Sequence, residues 1–117
     1  MTIWALTLYL AASTARCESS AAFDDGAAVL QVARNRGPLL GLLAPRQFAW
    51  ACPPTPRSWS PRHVLLALQA MAGTLDVPPW ARRAWHYTGR ADRPGQCQRW
   101  RGQVVGTLAH TFCTRGT

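Results

Sequence analysis

Residues 103–113 read QVVGTLAHTFC, and this stretch decides the fold class. Val104, Val105, Thr107, Leu108, Thr111 and Phe112 favour a strand, because branched and aromatic side chains suit a pleated, half-buried surface. The aromatic, extended segment Ala84-Trp85-His86-Tyr87-Thr88 precedes them. Upstream of both, apolar residues recur with helical spacing. The expectation is an α+β domain, about three helices followed by a small β element, with residues 1–117 as a single domain.

Residues 2–17 read as a buried helix, apolar nearly all round, with Thr7, Ser13 and Thr14 as its mild face. The apolar run Ile3 to Ala12 is too short to span a bilayer. It resembles a signal-peptide core, but no basic residue precedes it, so it is read as a first core helix. Phe23-Asp24-Asp25-Gly26 looks like a helix start, with Asp24 or Asp25 as N-cap. Ala28, Val29, Val32 and Ala33 continue it as an apolar stripe, and Gly37-Pro38 stops it. Residues 37–46 and the proline-rich Pro53-Pro54-Thr55-Pro56 read as loop. Ser60-Pro61 starts a third helix, because Ser caps and Pro suits the first helical position. Val64, Leu65, Leu68 and Met71 form its expected buried stripe, and Gly73 ends it. Gly89 to Gln98 reads as polar loop.

Thirteen basic residues, all Arg, face five acidic ones, for a net charge of +8. Such a surface attracts a polyanion: nucleic acid, an anionic membrane or the anionic bacterial envelope. No nucleic-acid-binding motif accompanies the charge, and no nucleic-acid partner is expected. Four cysteines, Cys17, Cys52, Cys97 and Cys113, contain no CxxC pair, which argues against a zinc ribbon. They allow two disulfides in three connectivities, or free buried thiols.

Any carboxylate chemistry must draw on Asp24, Asp25, Asp76, Asp92 and the only glutamate, Glu18. Glu18 follows an apolar helix, near the negative end of its dipole. Partial desolvation and that dipole both favour the protonated carboxyl, the form a general acid needs. A solvated helix-end glutamate is the plainer reading. Six tryptophans offer flat apolar faces, although most tryptophans serve packing. Trp50 and Trp85 have polar neighbours, and Gln47 could hydrogen-bond a sugar or amide. His63, His86 and His110 lack HExxH or paired-ligand spacing and read as satisfied structural histidines, so neither a metal nor a cofactor is expected. A Ser-His-Asp site is unsupported as well, since the chain has no G-x-S-x-G turn.

In order, Glu18, Asp25-Gly26, Asn35-Arg36, Gln47-Phe48-Ala49-Trp50, His86-Tyr87, Trp100, Gly106 and His110-Thr111-Phe112 form a pattern. It resembles the SleB-like cell wall hydrolase family, which includes spore-cortex-lytic enzymes and related bacterial and phage proteins. The likeness runs from about Leu6 to Cys113, and Ser19-Ser20-Ala21-Ala22 departs from the segment that follows the family's glutamate. The resemblance implies a lysozyme-like domain that cleaves the β-1,4 bond between N-acetylmuramic acid and N-acetylglucosamine in peptidoglycan. It makes Glu18 the catalytic acid, with Gln47, Trp50, His86 and Tyr87 binding substrate. It further implies a monomer without a membrane span, in the periplasm or wall, or phage-encoded and released to the wall. A degenerate wall-binding module and a small basic nucleic-acid binder are the alternatives.

Overall fold

The computed structural model describes residues 2–18, 23–37, 60–88 and 95–116. Within them the chain is α+β. Helices α1 (Ile3–Glu18), α2 (Phe23–Asn35) and α3 (Pro61–Ala72) come first, followed by a 3-10 turn at Pro79–Arg83. Strand β1 (His86–Tyr87), a short helix α4 (Gln96–Arg99) and strands β2 (Val104–Thr107) and β3 (Thr111–Cys113) complete the order. Residues 96–98, the first three of α4, correct the reading of 89–98 as loop throughout.

Helices α1, α2 and α3 pack on one another through small side chains. Ala11, Ala12 and Ala15 of α1, Ala27, Leu30 and Ala33 of α2, and Leu66, Ala67 and Ala70 of α3 form one buried cluster. This corrects the expected stripe on α3, where Leu65 and Leu68 are 48% and 41% exposed. The alanines explain the rotation: facing small residues bring helix backbones close, and the larger leucines would hold them apart. A similar inversion holds on α1. Thr7, Ser13 and Thr14 are buried, whereas Ile3 and Trp4 are exposed. Burying Thr7 costs little because its hydroxyl donates to the Ile3 carbonyl at 2.7 Å within the helix. Among the described residues, no helix is long and apolar enough to cross a membrane.

The third helix starts and stops where its sequence indicates. Ser60 caps it, with Pro61 in the first turn and Gly73 at its end in the left-handed region, φ 75°. Arg34 of α2 donates to the Ala70 carbonyl at 2.7 Å, so a cation sits at the negative end of α3. At the other end, His63 accepts at Nδ1 from the Ser60 backbone N–H at 3.0 Å. An imidazole that accepts there must be neutral. Burial, and then the charge of Arg16, lower the His63 pKa below the usual 6.5.

The unfolded chain therefore takes up this proton first as pH falls, and stability is lost below the ordinary histidine range. His86 shifts in the same direction. We expect the melting temperature to drop between about pH 7 and about pH 5. His63→Gln, which can reach back to the Ser60 N–H as a capping-box residue, should flatten that slope without loss at neutral pH. An unchanged slope in the variant would contradict this account of the cap.

The sheet is antiparallel, in the order β1-β3-β2. His86 pairs with Cys113 and Tyr87 with Phe112, while Val104, Gly106 and Thr107 of β2 pair with Cys113, Phe112 and Thr111 across an irregularity. Residues 103–113 thus form a hairpin of two strands. Phe112 packs with Ala28, Val29, Val32 and Ala84 in a second buried cluster, joined by Trp80 and Tyr87. Gly106 has no side chain for a direct reason: a Cβ there would overlap the Trp80 indole.

Candidate functional site

The end of α2 organises the segment leading into β1. Asn35 donates from its amide to the carbonyls of Ala81 at 3.0 Å and Ala84 at 2.7 Å, and accepts from Gln31 at 2.8 Å. Arg36 donates from Nε to the Trp85 carbonyl at 2.7 Å, and its NH2 lies 3.1 Å from His86 Nδ1. Burial lowers the Arg36 pKa from its usual value, with a smaller opposing influence from Tyr87. The guanidinium still stays charged, as Arg does throughout the physiological range. The Asn-Arg pair therefore works as a clamp on residues 81–86.

The start of α2 holds the hairpin. Asp25 is fully buried. Its Oδ1 accepts from the His110 backbone N–H at 3.0 Å, and its Oδ2 lies 2.7 Å from His110 Nδ1. Asp25 was expected as a helix cap. The structure instead places it within the first turn of α2 and binds it to a residue 85 positions away. Asp24 is exposed and accepts from the Asp25 N–H at 2.8 Å. His110 is a satisfied histidine: it bonds to Asp25 and meets the Tyr87 ring edge-on at 5.1 Å.

The pleat separates two neighbours in sequence. Successive strand residues point to opposite faces. Tyr87 lies with His110 and Phe112, 5.1 and 6.1 Å from their ring centroids, toward the core. His86 lies on the face of its register partner Cys113 and stacks on Trp100 at 4.8 Å. His86 and Tyr87 thus belong to two different layers. Trp85 carries the Arg115 guanidinium over its ring at 4.6 Å.

Trp100 reaches His86 because of the disulfide between Cys97 and Cys113. Cys97 lies in α4 and Cys113 ends β3 opposite His86, so the bond pins the short helix to the sheet. Trp100 follows one turn later. We expect the double variant Cys97→Ala, Cys113→Ala to lose about 3 kcal/mol, the usual effect of releasing a loop of this length. Urea denaturation of the intact and variant chains measures it, and a loss under about 1 kcal/mol would show that α4 is held by other contacts.

Of the residues expected to carry the chemistry, His86 and Tyr87 are described. Glu18 closes α1, and its side chain lies outside the described part; Gln47 and Trp50 lie outside the described residues. Sequence reasoning passed over Asp25 and His110 as a pair and Arg36 as a partner of His86. Taken singly, the residues named Asp25 as a helix cap and His86 and His110 as structural histidines, and Arg36 entered the pattern only through the resemblance. Among the described residues, no group of three or more His, Cys, Asp or Glu could hold a metal ion.

These elements define the class: a small disulfide-bonded α+β domain in which one helix clamps a three-stranded sheet at both of its ends. Compared with protein-family models, curated proteins and solved structures, the chain matches none.

Proposed function

We propose that this chain cleaves the glycan strand of peptidoglycan at the β-1,4 bond between N-acetylmuramic acid and N-acetylglucosamine, with Glu18 as general acid and base. One observation carries the reading. The described segments among those whose order resembles the cell wall hydrolases, Asp25, Arg36, His86-Tyr87, Trp100 and His110 to Phe112, join in one connected arrangement. Asp25 binds His110, Arg36 binds His86, His86 stacks on Trp100, and Tyr87 packs on Phe112. Seven positions of chain separate Glu18 from Asp25.

In this mechanism the Glu18 carboxyl protonates the glycosidic oxygen as the bond to the muramic C1 breaks. The resulting carboxylate takes the proton of the muramic C6 hydroxyl as O6 attacks C1. A 1,6-anhydro product forms, the proton returns to Glu18, and no water is consumed. This route needs one carboxyl where the two-carboxylate scheme needs a pair, which suits a chain with few acids whose Asp25 is committed to His110. Gln47, Trp50 and His86 are assigned to hold the sugars; Tyr87, turned to the core against His110 and Phe112, supports the strand instead.

The surroundings agree with this reading. A stable disulfide belongs to an oxidising, extracytoplasmic compartment, and a net charge of +8 draws the protein to an anionic wall. Purified chain is expected to clear a peptidoglycan suspension and release soluble glycan. Co-sedimentation with wall material without release would make it a binding module that has lost turnover. Tight, steeply salt-dependent DNA binding without wall binding would make it a nucleic-acid protein.

A further inference from the structure

His86 presents a ring nitrogen that nothing among the described residues engages. Its Nδ1 lies 3.1 Å from an Arg36 NH2 group. A guanidinium only donates, so Nδ1 must be the acceptor, and the ring proton sits on Nε2. Three contacts fix the imidazole's direction: the Arg36 fork, which also grips the Trp85 carbonyl at 2.7 Å; Trp100, stacked at 4.8 Å; and the pairing of β1 with β3. The ring is half-buried, as is Trp100. A single oriented N–H beside an indole suits a sugar that carries one strong acceptor. On an N-acetylated glycan that acceptor is the acetamido carbonyl. Hydroxyls, which both donate and accept, do not require a donor held in one form.

We propose that His86 is a fixed, neutral hydrogen-bond donor to the acetamido carbonyl of the bound glycan, with Arg36 as the residue that positions it. The proposal rests on the reading of the chain as a glycan-cleaving enzyme and names the group that its His86 reads. Burial and the Arg36 charge lower the His86 pKa, in keeping with a ring that stays neutral.

Two measurements on the whole chain test it, and neither depends on turnover. In nitrogen-15 NMR of the histidine rings at neutral pH, His86 is expected to show a protonated Nε2 and a bare Nδ1. Arg36→Met should raise its pKa and mix the two tautomers. A proton on Nδ1, or a charged ring at neutral pH, would overturn the proposal. In calorimetry, His86→Phe, which keeps a ring against Trp100, should weaken binding of an N-acetylglucosamine tetramer about tenfold. His86→Gln, which restores an N–H, should recover most of that loss. A β-1,4 glucose tetramer, lacking the acetamido group, should be indifferent to both changes. Equal losses for the two tetramers, or no loss for either, would refute the carbonyl assignment. Absence of wall cleavage alongside the expected binding pattern would overturn the proposed activity and leave this site standing.

Discussion

Asp25→Ala is expected to lower the unfolding free energy by about 3–5 kcal/mol, a large part of what a domain of this size has. The carboxylate is fully buried and accepts from two donors of one residue, the backbone N–H and Nδ1 of His110. Truncation leaves both donors without their partner in a place water reaches poorly, and each stranded group costs about 1–3 kcal/mol. The bond also ties the start of α2 to the hairpin turn 85 positions along the chain, leaving the packing of Phe112 on Ala28, Val29 and Val32 to hold the hairpin when it is lost. Asp25→Asn keeps one acceptor oxygen for the backbone N–H, and His110 can change tautomer to accept from the new amide. That variant should lose less than half as much. Urea denaturation of both measures the difference. A loss under about 1 kcal/mol for Asp25→Ala would show that the pair is incidental to stability. If Asp25→Ala fails to fold, Asp25→Asn still carries the comparison.

Glu18→Gln is expected to reduce wall cleavage by about a thousandfold or more, within the range that general acid catalysis supplies. The amide is nearly isosteric with the acid but has no transferable proton at neutral pH. It can neither protonate the leaving oxygen nor receive the proton of the muramic hydroxyl. The melting temperature should stay within a degree or two, since the change sits at the last residue of α1 and adds no bulk. Glycan release at the wild-type rate would remove Glu18 from the mechanism, whatever happens to stability.

The helices were legible because their signals are local. Ser60 with Pro61, Gly73, and the Gly37 stop mark ends that any reader of propensity can find, and the structure uses each of them. The buried face of α3 was not legible. Leu65 and Leu68 look like core residues until the partner helix proves to present Ala11, Ala12 and Ala15, against which Ala67 and Ala70 fit better. Asp25 was misread for a related reason. A carboxylate near a helix start has a visible local role, while its partner His110 lies far along the chain.

In the site, the sequence could name His86 and Tyr87 but not separate them, because adjacency suggests a shared cleft and the strand period denies it. Four cysteines leave three pairings open, so the bond between Cys97 and Cys113 had no signature. Without it, α4 had none either: a four-residue helix in a polar segment is held by its disulfide and neighbours, not by propensity. The Asn-Arg end of α2 was visible only as a motif. Its physical content, a clamp on the carbonyls of Ala81, Ala84 and Trp85, is tertiary.

The most direct measurement is the mass of the sugar end left on muropeptides after digestion of purified wall. A single glutamate acting as acid and then as base predicts muramic ends that are one water lighter than reducing ends, from the intramolecular attack of O6. Reducing muramic ends would contradict the single-carboxyl route and require a second acid. No released glycan at all would contradict the cleavage itself.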